Sequence, residues 1–72
     1  VNISILNKEV LDMELKTKFL KAYANLPSAS REEIIAVVEN EPYTWQSARL
    51  EIEQDTKIGY KILEILTKLK IL

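Results

Sequence analysis

Ile34-Ile35-Ala36-Val37-Val38-Glu39-Asn40-Glu41-Pro42-Tyr43-Thr44-Trp45 is the stretch on which the fold depends. Four of its first five residues are β-branched, and the run is short and bounded, which reads as a buried strand. Glu39-Asn40-Glu41-Pro42 reads as a turn, because Asn tolerates left-handed dihedrals and Pro blocks a continuing ladder. Tyr43 then pairs back onto the first strand and closes a hairpin. Thr44 reads as the N-cap of a helix starting at Trp45. The competing reading puts Ile34, Val37 and Val38 on one helical face, which turns the whole chain into a small all-α helical bundle.

On the N-terminal side, Leu11, Leu15, Phe19, Ala22 and Tyr23 fall at helical spacing from Lys8 to Asn25, with Asn7 as N-cap. Pro27 ends that helix, because the residue before a proline is pushed out of the α region. Val1, Ile3 and Ile5 alternate with Asn2 and Ser4, the period of a short strand. The expected division is therefore 1–7 as a flexible segment or short edge strand, and 8–72 as one small globular domain. Ser30 and Glu33 have capping-box spacing and predict a helical turn around Arg31–Glu33.

On the C-terminal side, Trp45, Ala48 and Ile52 share a helical face, although Ala48, Leu50 and Ile52 also alternate as a half-buried strand does. The Thr-Trp start favours the helix. Thr56 caps a last helix in which Ile58, Ile62, Ile65, Leu66 and Leu69 form a stripe. Tyr60, Leu63 and Ile71 lie off that stripe, so this helix is apolar on more of its circumference than one contact needs. Such a face invites a second subunit. The fold expected is α+β: a long first helix, a short β-hairpin and two C-terminal helices. The expected core is Leu15, Phe19, Tyr23, Ile35, Val37, Trp45, Ile58, Ile62, Leu66 and Leu69.

Composition narrows the chemistry. The 72 residues contain no His, no Cys and a single Gly. That removes imidazole and thiol nucleophile–base pairs, disulfides, thiolate or imidazole zinc sites and Gly-rich phosphate cradles. Glu51, Glu53 and Asp55 are two apart, as are Glu39 and Glu41. A calcium loop of the EF-hand kind needs a Gly within its oxygen ligands, and none is there. Solvated acids are the simpler reading. Ser30, Thr44 and Thr56 are explained as caps, and no residue set supports a Ser–Lys pair. No catalytic, cofactor-binding or metal-ligating residue is predicted, and the chain reads as a non-enzyme.

What remains is surface. Residues 31–55 carry seven acids against Arg31 and Arg49, and residues 56–72 carry Lys57, Lys61, Lys68 and Lys70 against Glu64. With a net charge of −1 no overall field attracts nucleic acid or anionic lipid. A helix-turn-helix formed by 45–54 and 57–69 is the alternative reading. Its second helix lacks the Arg and Asn/Gln set that reads bases, and its first is acidic where phosphates run. No apolar run approaches the ~20 residues of a membrane span. No signal peptide is read at the start, so the cytoplasm is the default location. The expected function is a protein-interaction or small structural or regulatory module, self-associating or binding a protein partner. Tyr43, Trp45, Tyr60, Leu63 and Ile71 are the candidate surface.

One resemblance rests on Leu26-Pro27-Ser28-Ala29-Ser30-Arg31, Glu32-Glu33-Ile34-Ile35-Ala36-Val37-Val38, Pro42-Tyr43-Thr44-Trp45 and the helix start Thr56-Lys57-Ile58-Gly59-Tyr60-Lys61-Ile62-Leu63. This skeleton resembles that of small uncharacterised prokaryotic proteins of archaeal type, over about residues 15–72. The resemblance implies a single small domain and brings no activity, cofactor or site residue. Gly59 stands out, since a helix interior penalises Gly by about 1 kcal/mol relative to Ala. A close backbone approach by a neighbouring element is the expected reason for it.

Overall fold

Two residues with positive φ, Glu39 at 52° and Asn40 at 68°, reverse the chain between strands β1 (Ile34–Val38) and β2 (Glu41–Thr44). Consecutive left-handed residues match the natural twist of a two-residue hairpin. The strands pair antiparallel, with Val38 opposite Glu41, Val37 opposite Pro42 and Ala36 opposite Tyr43. The ladder then skips Ile35 and resumes with Ile34 opposite Thr44, which makes Ile35 the extra residue of a β-bulge.

The computed structural model describes residues 3–72, with side chains from Leu11 onward. Around the hairpin it places helix α1 (Ile3–Ala24), a 3₁₀ turn (Ser28–Glu32), α2 (Trp45–Glu53) and α3 (Lys57–Lys68). This is the expected α+β arrangement, with the long helix first and two helices last. The all-α bundle is excluded, because Ile34–Val38 is a strand.

The N-terminal boundary differs from expectation. α1 begins at Ile3 and runs through Asn7, so residues 3–6 are helical and Asn7 is not a cap. Residues 1–2 of the expected strand lie outside the described residues. Ile3 and Leu6 stand three apart and in step with Val10, and this spacing prevails over the alternation of Ile3 and Ile5. The 3₁₀ turn also begins earlier than the Ser30–Glu33 pair suggested. Pro27, held extended at ψ 149°, precedes it, and there is no side-chain cap.

The other caps form as the sequence predicts. The Thr44 backbone N–H donates to Ser47 Oγ at 2.8 Å, and the Ser47 N–H donates to Thr44 Oγ1 at 3.0 Å, a reciprocal box at the start of α2. Thr56 Oγ1 accepts from the Gly59 N–H at 3.0 Å and starts α3. Between these helices Asp55 takes a left-handed φ of 55°, while the Asp55 and Thr56 N–H groups donate back to the Ile52 and Glu51 carbonyls. That is a Schellman ending achieved without glycine. Lys70 ends α3 in the same way, with φ 59°.

The core lies between the C-terminal half of α1, the inner face of the hairpin, α2 and α3. Phe19, Ile52, Ile62 and Leu66 are its fully buried large side chains. Phe19 packs on Tyr23 and Trp45 with ring centroids 6.4 and 5.3 Å apart. Five of the expected core residues are buried: Phe19, Tyr23, Trp45, Ile62 and Leu66. Leu15, Ile35 and Ile58 are half-buried. Val37 and Leu69 are corrections, since they are 60% and 61% exposed. On β1 the inward face is Ala36 and Val38, the opposite parity to the Ile35–Val37 face. The bulge at Ile35 keeps Ile34 from following them inside. Leu69 falls at the C-cap of α3, where the chain turns away from the stripe.

Candidate functional site

The five candidate surface residues separate. Trp45 is a core side chain and Leu63 is only 4% exposed, so neither is available on the folded surface. Leu63 is taken up by the chain's own body, because α3 packs against both α2 and β1 and turns Gly59, Ile62, Leu63 and Leu66 inward. Tyr43 is half-buried, while Tyr60 and Ile71 are exposed. Tyr43 and Trp45 therefore do not form an exposed aromatic pair.

Tyr60 marks the most developed surface feature. A cleft of about 530 Å³ opens between α1 and α3, lined by Leu11, Leu15, Tyr60, Leu63 and Thr67 together with the charged Asp12, Glu64 and Lys68. A second hollow of about 400 Å³ lies on the other side of Tyr60, bordered by Met13, Ile52 and Gly59 and sharing Asp12, Tyr60 and Leu63 with the first. Charges rim the pair of hollows. Lys16 Nζ meets Asp55 Oδ1 at 3.0 Å at one end, and Lys68 Nζ meets Glu64 Oε1 at 3.1 Å at the other. These pairs are exposed, so each contributes at most about 1 kcal/mol. The first hollow is mainly apolar, while the second mixes Asp12, Lys16 and Asp55 with its apolar residues.

Gly59 permits this geometry. A methyl group at its Cα would come within 2.6 Å of the Glu51 carbonyl oxygen and 3.0 Å of the Ile52 Cα. The expected close approach is thus made by the backbone of α2. It lets α3 cross α2 tightly and presents Tyr60, the next residue, to the α1 side.

Electrostatics adds no catalytic poise. Desolvation raises the Tyr43 hydroxyl above its ordinary value, with the Glu41, Glu51 and Glu39 carboxylates adding to the rise. Its proton is therefore held more firmly, the reverse of what a base needs. Arg49 is raised by its hydrogen bond to Glu53. The Arg31 and Arg49 guanidinium groups lie 4.3 and 5.0 Å from the Tyr23 ring centroid, which fixes them to the body. Among the described residues there is no charged side chain in the core, and no group of three acids is placed to hold a metal ion. No helix among them is long and apolar enough to cross a membrane.

Leu11 and Met13 are 56% and 68% exposed, and neither stands among the expected surface residues. Leu11 shares the helical stripe of Leu15 and Phe19 but lies at the cleft and not in the core. Comparison with known proteins gives no match to a family, a curated sequence or a solved structure.

Proposed function

We propose that this chain is a non-enzymatic protein-interaction module of the cytoplasm, acting through the apolar cleft that flanks Tyr60. The observation that carries this reading is the cleft's make-up: Leu11, Leu15, Leu63 and the half-exposed ring of Tyr60 supply an apolar lining, beside Asp12, Glu64, Thr67 and Lys68. Tyrosine is favoured at binding hot spots because it combines a large apolar ring with a polar tip. An aliphatic or aromatic anchor from a partner protein, flanked by polar contacts to Asp12, Glu64 or Lys68, suits such a floor. The lack of Cys fits a compartment without disulfides.

The helix-turn-helix alternative has less support. Lys61 Nζ faces Glu39 Oε1 at 3.2 Å and Lys68 faces Glu64, so two of the lysines on α3 already have carboxylate neighbours. Phosphate neutralisation is what duplex affinity chiefly requires.

Photo-cross-linking from position 60 tests the proposal. A photoreactive amino acid in place of Tyr60, expressed in the native host, is expected to trap one discrete protein product. Leu11→Asp is expected to abolish that product without unfolding the chain. Turnover of any substrate by the homogeneous protein, or a position 60 that traps no protein, overturns the reading.

A further inference from the structure

The two strands of the hairpin differ in what they leave unpaired. Residue pairs along an antiparallel ladder alternate between hydrogen-bonded and non-hydrogen-bonded. A two-residue turn closes on a hydrogen-bonded pair, here Val38 and Glu41. Val37 and Pro42 then form the next, non-hydrogen-bonded pair, and their main chains point away from one another. On β2 that outward position holds Pro42, which has no N–H to offer. On β1 it holds Val37, with both its N–H and its C=O. Among the described residues, no backbone hydrogen bond from outside the hairpin reaches Ile34, Ile35 or Val37. β1 is therefore the open edge of a two-stranded sheet. Its outward face is also apolar: Ile34 and Val37 are 62% and 60% exposed, and exposed Pro42 stands opposite Val37.

Carboxylates bracket this edge. Glu32 and Glu33 precede β1 and Glu39 follows it, all exposed. Glu39 meets Lys61 in an exposed pair, while Glu32 and Glu33 form no ion pair among the described residues. Arg31, the nearest base along the chain, is turned to the Tyr23 carbonyl and ring. From 32 to 44 the chain carries Glu32, Glu33, Glu39 and Glu41 and no base.

We propose that β1 is a docking edge for an extended segment of another protein, one whose apolar residues alternate and whose ends carry Lys or Arg. It is a second surface, sharing no residue with the hollows beside Tyr60. Charge chooses the occupant. Pairing the whole of β1 antiparallel with a second copy of itself centres on Ala36 and sets Glu33 against Glu39 twice. Like charges directly opposed weaken a sheet. The same carboxylates attract a strand with basic ends, so they reject self-pairing and favour the partner. Main-chain hydrogen bonds to Val37 supply affinity, and side chains lying beside Ile34 and Val37 fix the register. The bulge at Ile35 keeps the regular edge short. The affinity expected is on the order of 10–100 µM.

The probe is a blocked synthetic peptide, Lys-Arg-Val-Thr-Val-Thr-Val-Arg-Lys, titrated into the full chain to about 1 mM and followed by amide NMR. The Val37 amide is expected to shift and its hydrogen exchange to slow. The same core with Glu at all four end positions should bind about tenfold weaker or less. N-methylation of the central residues should also cost about tenfold, because it removes main-chain donors. Glu33→Lys should weaken the basic peptide by about threefold to tenfold and strengthen the Glu-ended one. Its melting should not change, since the Glu33 side chain is exposed.

No response at Val37, or equal binding of the basic and Glu-ended peptides, overturns the proposal. A peptide that perturbs Tyr60 and leaves Val37 untouched overturns it too and supports the cleft. A Val37 amide protected without peptide, in a chain that sediments as a dimer, would make a second copy the occupant and equally overturn it. Peptide binding at Val37 with no product trapped from position 60 keeps the edge and removes the cleft.

Discussion

Gly59 and Glu51 are in backbone contact: a Cβ on Gly59 would stand 2.6 Å from the Glu51 carbonyl oxygen and 2.8 Å from its carbonyl carbon. Both are main-chain atoms of α2, which cannot rotate away as a flexible side chain does. Helix propensity taken alone makes Gly59→Ala stabilising by about 1 kcal/mol. The contact reverses the sign. We expect Gly59→Ala to destabilise the chain by about 1–3 kcal/mol, the usual cost of overpacking, and Gly59→Leu by more. Urea unfolding at 25 °C measures both, and a more stable Gly59→Ala protein would show that α2 and α3 are not in close contact.

The Thr44–Ser47 box joins the hairpin to α2, and its two hydrogen bonds of 2.8 and 3.0 Å are reciprocal. Thr44→Ala should cost about 1 kcal/mol, as for other lost N-caps. Ser47→Ala should cost somewhat less, since it removes only the return bond. The double variant should fall short of the sum, because the two residues share one motif. Chemical denaturation of the three variants resolves the coupling, and strict additivity would argue against the box.

Val37 and Val38 are neighbours with opposite environments, 60% and 5% exposed. Val38→Ala should destabilise by about 1–2 kcal/mol, from lost transfer and cavity terms. Val37→Thr should stay within about 0.5 kcal/mol. Equal losses at the two sites would mean that the strand faces the other way.

The Tyr43 hydroxyl has a raised folded-state pKa, through desolvation and then the Glu41, Glu51 and Glu39 carboxylates. The folded state therefore holds this proton more tightly than the unfolded state does. The contribution is fully present below the ordinary tyrosine value near 10 and is lost as the pH rises through the folded value. Tyr43→Phe should flatten the decline in stability above about pH 10 and change nothing between pH 6 and 8, as denaturant midpoints across that range will show. An identical alkaline decline in the variant would remove Tyr43 as its source.

The elements that local chemistry governs were legible in the sequence. Thr44, Thr56 and Pro27 act where capping and proline geometry say they should, and β-branching made Ile34–Val38 a strand. Gly59 likewise signalled its close contact. The parity of β1 was not legible, because both of its faces are apolar and a bulge at Ile35 breaks the alternation. Leu63 belongs to the core because α3 is enclosed from two sides by one chain, and a helical wheel does not say whose surface encloses it. Tyr60 stands out in the sequence as an aromatic off the stripe, but the cleft beside it does not, since that depends on how α1 packs against α3.

The interior of this molecule holds no carboxylate, ammonium or guanidinium group among its described residues. Acidity and salt can therefore reach the protein only from outside, through its rim charges. A homogeneous oily filling discriminates by volume and shape, and it gives the folded chain no hidden proton to gain or lose across the physiological range. Any sensing of the cell's ionic conditions by this protein would have to be carried out at its contacts with other molecules.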